Sequence, residues 1–242
     1  MSPTPSAYRK WRPRLSLPRL TLPGLCHACG QWAWQALCPL CESLGDTSSV
    51  ASCLGCALPS SLSTCTACAT QAPPWSICVA AKAYTAAWKD LISAFKFEGQ
   101  AGLAYFLGQQ MRQKAAIAEL VRACDYLVPV PLSAQRLRQR GFNQALLLAR
   151  QLCAQRCLAQ GLIRWRDTAA QSGLPRQQRL LNLNQAFMVP PKNAQRLRGS
   201  RVVLVDDVMT TGATLRACTL ALLSAGVARV DVVVLARTLG QN

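Results

Sequence analysis

The stretch Val202–Thr214 reads VVLVDDVMTTGAT, and it carries the most informative pattern in the chain. Four apolar residues run into two adjacent carboxylates, Asp206 and Asp207, and a short loop of threonine, glycine and alanine leads into a helical pattern. Ligands of open α/β sheets bind at the carboxyl ends of strands. Backbone N–H groups at a helix start form a phosphate cradle, and a glycine allows close approach. The pattern therefore predicts a phosphate site next to a carboxylate pair.

The two carboxylates need a partner other than the phosphate, because like charges repel. Sugar hydroxyls or a bound Mg²⁺ would satisfy them, so the stretch favours a ribose 5-phosphate ligand. A simpler interpretation is that Asp206 or Asp207 only caps the following helix. The magnesium strand of P-loop NTPases also looks similar. However, the chain has no G-x-x-x-x-G-K-[ST] motif, and it has no G-x-G-x-x-G dinucleotide fingerprint either.

Apolar strand patterns alternate with helical spacing around this stretch, which predicts an α/β fold: a parallel sheet with helices on both faces. Strands are expected at Ile77–Tyr84, Tyr126–Val130, Arg201–Val208 and Val230–Leu235. Helices are expected at Trp88–Phe97, Leu103–Ala118, Gln144–Leu158 and Leu215–Ser224. Pro73-Pro74 indicates a boundary. We therefore expect a basic flexible tail (1–22), a small cysteine-rich domain (23–74) and the α/β domain (75–242).

Eight of the thirteen cysteines form four CxxC pairs, and the second half of the segment repeats the first after 27 residues. Two thiolates from one tight turn occupy adjacent corners of a tetrahedron, so the spacing predicts structural zinc, with one or two ions bound. Each half could hold its own ion, or alternate pairs could interleave. His27, the only histidine, is expected beside a cluster or in solvent. The predicted ligands are Cys26, Cys29, Cys38, Cys41, Cys53, Cys56, Cys65 and Cys68.

The formal net charge of +17 is concentrated in two segments. Residues 1–25 carry +5, and residues 132–201 carry +12, so each segment could meet an anion such as phosphate, nucleic acid or an acidic membrane face. Arg136, Arg138 and Arg140 share a face if they lie on a strand, and they converge if they lie on a loop. Their guanidinium forks suit pyrophosphate. They could equally be a solvated surface or follow a nucleic-acid backbone.

Size and composition exclude several classes of protein. At 242 residues and 51% hydrophobic content, the chain is too apolar to be disordered. No run approaches the ~20 apolar residues of a membrane span. The basic N-terminus is interrupted by prolines and lacks the apolar core of a secretory signal. We therefore expect a cytoplasmic protein whose thiols stay reduced and bind metal.

Beyond these patterns, the chain resembles the ComF family (ComFC/GntX-like proteins), and the resemblance covers nearly everything after the tail. Residues 202–214 look like the phosphoribosyl-pyrophosphate (PRPP) motif of type I phosphoribosyltransferases. The other matching stretches are the paired CxxC ribbon, Trp88–Gly99, Val128–Gln144 and Asp167–Arg179. The resemblance implies a double zinc ribbon followed by a type I phosphoribosyltransferase-like domain.

The resemblance also implies roles for individual residues. Asp206 and Asp207, the expected catalytic residues, would hold the ribose hydroxyls and Mg²⁺. Residues 128–144 follow the strand where related enzymes place a pyrophosphate loop, and residues 167–179 fall where those enzymes have a lid. Pro175 departs from the family pattern and would stiffen that lid. The loop residues expected to bind the 5-phosphate are Thr210, Thr211, Gly212, Ala213 and Thr214, and the contacts expected for pyrophosphate or nucleic acid are Arg136, Arg138, Arg140, Asn143 and Gln144.

Three functions follow as hypotheses. The first is an enzyme that binds PRPP with Mg²⁺ and transfers phosphoribosyl to an unidentified acceptor, in a process linked to DNA uptake and competence. The second is a protein that senses PRPP or a nucleotide without turnover. The third is a factor that handles single-stranded DNA, with the DNA-uptake machinery as its partner. Fold analogy alone does not choose among them.

Overall fold

The computed structural model describes residues 23–46, 51–165 and 186–239. The cysteine-rich segment forms two small halves. In the first half, strands β1 (Gly24–Leu25) and β2 (Trp32–Ala33) pair antiparallel and precede a short helix, α1 (Pro39–Ser43). The second half carries the equivalent helix, α2 (Thr66–Thr70). Each of these helices begins directly after a cluster cysteine, Cys38 or Cys65.

A four-stranded parallel sheet forms the centre of the remaining chain, and its strand order is β3-β8-β7-β4. The described helices and strands of this part begin with β3 (Cys78–Ala83), α3 (Ala86–Phe97), α4 (Leu103–Gln113), α5 (Ala115–Ala123), β4 (Tyr126–Pro129), α6 (Ala134–Arg140), α7 (Gln144–Cys153), β5 (Ile163–Arg164), β6 (Phe187–Met188) and α8 (Pro191–Leu197). They are followed by β7 (Arg201–Met209), α9 (Ala213–Ser224) and β8 (Arg229–Arg237). The small β5–β6 pair is antiparallel.

Both faces of the sheet are covered, as predicted. Alternate residues of β7 enter different cores, Val203 and Val205 on one face and Val202 and Leu204 on the other, because successive side chains of a strand point to opposite faces. One core contains buried residues of α3, α4, α5 and α7, and the other contains buried residues of α9 and α8. The prediction of a doubly covered parallel sheet is therefore confirmed.

Three local predictions need correction. The expected helix Leu103–Ala118 is two helices, because Lys114 adopts an extended conformation between α4 and α5. The helix expected to reach Leu158 ends at Cys153 and continues only as a 3-10 turn, Ala154–Arg156. Arg136, Arg138 and Arg140 lie on a helix, α6, and not on a strand or loop. The Ser133 side chain caps this helix by accepting a hydrogen bond from the Arg136 N–H.

The cysteine-rich segment covers the edge strand β3. The backbone N–H of Cys78 donates to the Leu54 carbonyl at 2.7 Å, and the N–H of Ala83 donates to the Gly45 carbonyl at 3.0 Å. A Cβ at Gly45 would lie 2.1 Å from the indole of the fully buried Trp88, so only glycine allows this approach. The segment therefore satisfies backbone groups of an edge that would otherwise be open to pairing.

Candidate functional site

Asp206 and Asp207 lie near the carboxyl end of β7, where the sequence predicted them, but their surroundings differ. The Asp207 carboxylate forms an ion pair with the Lys96 ammonium of α3 at 2.9 Å, and both side chains are largely buried. Asp206 accepts a hydrogen bond from the Asp207 N–H at 2.9 Å. The two carboxylates are therefore not equivalent, because among the described residues only Asp207 forms an ion pair.

Burial, and after it the neighbouring Asp207 carboxylate, raise the pKa of Asp206 to about 8. The Asp207 N–H, Lys96 and Arg140 act in the opposite direction without offsetting this effect. A carboxyl with such a pKa keeps its proton over much of the neutral range. Asp206 is thus held as a neutral acid beside Asp207, which is paired with Lys96.

The loop after β7 has the shape of a small anion cradle. Gly212 has φ = 76°, a left-handed conformation, and a Cβ at this position would lie 2.7 Å from the Met209 side chain. Gly212 is also the residue that precedes α9, and it offers no side-chain cap to the first amides of that helix. The Thr211 hydroxyl accepts a 3.4 Å hydrogen bond from the Ala213 N–H.

A cavity of about 50 Å³ lies against this loop, with Asp206 in its wall. That volume is enough for roughly four water molecules, which is the scale of a phosphate group. Thr210 and Thr211 are exposed, whereas Gly212 is buried. All five predicted phosphate-loop residues line this one cavity together with Asp206: Thr210, Thr211, Gly212, Ala213 and Thr214.

The arginines of α6 do not converge on the site as a group. Arg136 and Arg138 are exposed, and Arg140 at the end of the helix is half-buried. The Arg140 guanidinium lies 4.8 Å from the centre of the Phe97 ring and donates to the Gln144 side-chain oxygen at 3.2 Å. Burial lowers the pKa of Arg140, and Asp207 and Asp206 oppose that shift. Arg140 is therefore the arginine of this helix that is electrostatically coupled to the carboxylates.

Asn143 and Gln144 support this arrangement from the start of α7. The Asn143 side chain accepts from the Leu146 N–H and donates to the Val130 carbonyl at 3.0 Å, so it caps the helix and ties it to the end of β4. Gln144 is buried at 1% exposure and holds Arg140. Both residues, which we expected as ligand contacts, make positioning contacts in the ligand-free protein.

Lys96 is the residue that pattern analysis missed. It lies in the quoted stretch Trp88–Gly99, but no role was assigned to it, because its partner Asp207 is distant in sequence. The available signal was a lysine in the last turn of the helix that begins just after β3. The predicted lid, residues 167–179, lies outside the described residues. In the ranges that the structure does describe, no helix is long and apolar enough to cross a membrane.

The cysteines form two separate four-sulfur clusters, one in each half of the segment, so the open question of ligand partition is answered in favour of one cluster per half. Within each cluster, all sulfurs lie within 4.8 Å of one another. The Cys29–Cys38 and Cys56–Cys65 sulfurs are 3.8 and 3.7 Å apart. Zn–S bonds of ~2.3 Å give a tetrahedron edge of about 3.8 Å, so both clusters fit Zn²⁺. Exposed His27 belongs to neither cluster.

Backbone N–H groups stabilise one thiolate in each cluster. The Cys38 N–H points at the Cys26 sulfur at 3.3 Å, and the Cys65 N–H points at the Cys53 sulfur at 3.2 Å. Burial raises the pKa of these two thiols, but the N–H contacts outweigh it and lower both values to about 6. Thiolates are the metal-binding form of cysteine, so each half is prepared for a cation.

We expect about two zinc ions per purified chain, measured by elemental analysis. Cys65→Ser removes one ligand of the second cluster and should reduce the zinc content to about one. Cys153→Ser, which changes a cysteine outside both clusters, should leave two. A Cys65→Ser protein that retains two ions would contradict the assignment of one ion to each half.

We expect Asp206→Asn to stabilise the protein against heat at pH 8. The folded carboxyl keeps its proton up to about pH 8, and the unfolded one loses it near pH 4. The folded state therefore binds more protons within this window, and stability falls as the pH rises through it. The neutral amide avoids that loss.

The melting temperature of Asp206→Asn should exceed that of the parent protein by about 2–4 °C for each kcal/mol regained. The difference should narrow as the pH is lowered from 8 to 5.5. Asp90→Asn, which changes an exposed carboxylate on α3, serves as the control and should melt like the parent. Equal melting temperatures of Asp206→Asn and parent at both pH values would rule out a buried, proton-retaining Asp206.

Comparison with known proteins supports a common origin with phosphoribosyltransferase-like competence proteins. A family model described as "Phosphoribosyl transferase domain" matches residues 139–241. The DNA utilization protein YhgH of Salmonella typhimurium is 33% identical over 236 residues, covering 91% of this chain and 100% of that protein. Competence protein F of Haemophilus influenzae is 35% identical over 185 residues, covering 69% of this chain and 75% of that protein. Competence protein ComFC of Bacillus subtilis is 34% identical over 144 residues, covering 59% of this chain and 56% of that protein. With its two four-cysteine clusters ahead of a phosphoribosyltransferase-like sheet, the chain belongs to the ComF family.

Proposed function

We propose that this protein binds PRPP with Mg²⁺ at the carboxyl end of β7 and acts as a phosphoribosyltransferase on an acceptor still to be identified. The observation that carries the proposal is a pair of adjacent carboxylates, the buried Asp207 and the partly buried Asp206, of which Asp206 lines a phosphate-sized cavity at the start of α9. Burying two acids together is unfavourable, so their presence here favours a ligand that uses them. The ribose and phosphate of PRPP match the carboxylates and the cavity.

Different residues of the chain would bind different groups of PRPP. The amides and hydroxyls of Thr210–Thr214 would hold the 5-phosphate, and Asp206 and Asp207 would hold the ribose hydroxyls and Mg²⁺. Lys96 and Arg140 are the cations next to these carboxylates and would face the pyrophosphate. Mg²⁺, when bound, neutralises charge on the pyrophosphate oxygens.

Transfer would break the bond between ribose C1 and pyrophosphate oxygen and form a bond from C1 to the acceptor. Negative charge grows on the departing pyrophosphate, so the fixed cations Lys96 and Arg140 would stabilise the transition state more than the bound substrate. This division assigns Asp206 and Asp207 to orienting the ribose. The proton lost by the acceptor would need a base that the acceptor site or the acceptor itself supplies.

The process served is proposed from the relatives. Their names refer to DNA utilization and competence, and we place this chain in the same context of DNA uptake or use. An alternative role, handling single-stranded DNA, draws on exposed Arg136 and Arg138. DNA affinity that falls steeply with added salt, and that falls further in Arg136→Ala/Arg138→Ala, would favour this alternative.

We expect calorimetry to show that the parent protein binds PRPP in a Mg²⁺-dependent manner. In the double variant Asp206→Ala/Asp207→Ala, PRPP binding should no longer depend on Mg²⁺. The exposed-site variant Asp90→Ala controls for the change in net charge and should bind like the parent. Intact Mg²⁺-dependent binding in the double variant would refute the assignment of the carboxylates. A screen of bases and amines for pyrophosphate release would then separate an enzyme from a PRPP sensor.

Lys96→Met should weaken PRPP binding and strengthen metal binding to the ligand-free protein. Lys96 already occupies Asp207 as a counter-ion, so a divalent cation must displace it. Losing a charge-assisted contact of roughly 1.5–3 kcal/mol weakens PRPP binding about ten- to a hundredfold.

The metal arm of this test follows Mn²⁺ by electron paramagnetic resonance in the absence of PRPP. Lys89→Met, which changes an exposed lysine of the same helix, is the matched control and should alter neither affinity. If Lys96→Met left Mn²⁺ binding unchanged, Lys96 would not be the group that the metal displaces.

A further inference from the structure

A second cavity lies on the other side of the phosphate loop, between that loop and the second cysteine half. Its volume is about 520 Å³, which falls within the ~300–1,000 Å³ typical of small-molecule sites. It is not the metal position, because the sulfurs converge to within 4.8 Å and leave room for one ion. We propose that this cavity binds a small molecule consisting of a planar aromatic ring and one anionic group.

The cavity has a fixed aromatic wall. Trp75 is buried at 6% exposure, and its indole N–H donates to the Gly55 carbonyl at 2.7 Å, so the ring is held in one orientation. Leu58, Pro73 and Met209 complete an apolar lining. A rigid indole with apolar neighbours suits a flat ring, because aromatic pairs gain energy beyond their buried area.

Arg216 is the lining group through which the cavity can bind an anion. The lining contains two arginines and no aspartate or glutamate, and its cysteines, Cys56, Cys65 and Cys68, belong to the second cluster, where a bound Zn²⁺ would partly neutralise their thiolate charge. Arg237 is committed to the fold, since its guanidinium donates to the carbonyls of Cys56 and Met209. In the described part of the chain, the Arg216 guanidinium donates one hydrogen bond, of 3.2 Å, to the exposed Ala72 carbonyl. Its guanidinium can exchange that contact for the paired oxygens of a carboxylate or phosphate.

The cavity is a second site and not a part of the phosphate cradle. Both are lined by Met209, Thr211, Gly212 and Ala213, but Asp206 and Thr210 line only the cradle. The ring of Trp75 would lie 3.4 Å from a Cβ at Gly212. A molecule bound in this cavity therefore contacts the side of the loop that faces away from the phosphate cradle. Any effect of that molecule on phosphate binding rests on the proposed function, whereas the binding of the molecule to the cavity does not.

Two residues that line the cavity are smaller than their counterparts in the first half of the internal repeat. At positions related by the 27-residue repeat, the second half has Gly55 in place of Ala28 and Ala67 in place of Leu40. Both smaller residues line the cavity. A leucine is already accommodated at the exposed equivalent position of α1, so this architecture tolerates Ala67→Leu, and the larger side chain would narrow the cavity that Ala67 lines.

The binding test uses 2-naphthoate as the probe, with calorimetry and ligand-observed NMR on the zinc-loaded full chain. We expect saturable binding. We expect binding at least tenfold weaker for 2-naphthylmethanol, which lacks the charge, and for cyclohexanecarboxylate, which lacks the aromatic ring. AMP, added with ribose 5-phosphate in excess to occupy the cradle, tests whether the anion can come from a nucleotide as well as from an aromatic acid.

Two variants locate the site. Ala67→Leu should abolish 2-naphthoate binding, and Arg216→Ala should weaken it about tenfold or more, because charge-assisted contacts are worth roughly 1.5–3 kcal/mol. Leu40→Ala and Arg150→Ala, which change exposed residues outside the cavity, should bind like the parent. Unchanged zinc content and melting temperature in each variant show that the fold is intact.

Absence of saturable binding up to millimolar probe, or equal binding by Ala67→Leu and the parent, overturns the proposal. Affinity for ribose 5-phosphate is measured separately, with and without 2-naphthoate. If the probe binds and ribose 5-phosphate does not, the cavity stands as a site and the PRPP function fails. If ribose 5-phosphate binds and the probe does not, the cavity is not a binding site and the proposed PRPP function is unaffected.

Discussion

The central constraint in this molecule is the placement of two adjacent carboxylates near the end of a largely buried strand. The preceding β7 residues Val202–Val205 have no exposed surface, so Asp206 and Asp207 follow directly from the interior of the protein and have restricted access to water. The protein answers this in two ways: Asp207 is paired with Lys96, and Asp206 keeps its proton. Charge in the ligand-free site is thereby reduced without removing groups that a sugar or a metal ion can use.

Much of the neighbouring structure serves this balance. The end of α3 supplies Lys96 for Asp207 and the Phe97 ring against which Arg140 rests. Gln144 then holds Arg140, and Asn143 ties α7 to the end of β4. Removal from water destabilises an isolated charge but strengthens the attraction between two opposite charges. These residues therefore depend on each other, and loss of one would change the electrostatic environment of the carboxylates.

The carboxylates and the glycine loop could be predicted from sequence because their geometry is local. A strand that ends in Asp206 and Asp207, followed by Gly212 and a helix, specifies its own shape, and the CxxC spacing specifies two sulfurs per turn in the same way. Lys96 could not be found like this, because its role exists only once α3 packs beside β7. The alternating arginines of α6 were misleading: alternation is typical of a strand, but the Ser133 cap starts a helix. The division at Pro73-Pro74 stays a prediction, since backbone contacts with β3 cross it.

The two cysteine halves show how one metal-binding geometry can serve two different purposes. Their sulfur spacings and N–H contacts agree within about 0.1 Å, so the metal position constrains only the ligand turns. The residues between the ligands have diverged. The first half buries Leu37, Cys38 and Cys41 in the core with Trp88, while Trp32 and Trp34 remain 75% and 69% exposed. The second half turns instead toward the phosphate loop, where Arg237 joins the Cys56 carbonyl to the Met209 carbonyl. A shift of the second cluster would therefore reach the phosphate loop through Arg237 and through Trp75, which donates to the Gly55 carbonyl and lies beside Gly212. The first half contributes its buried residues to the other core.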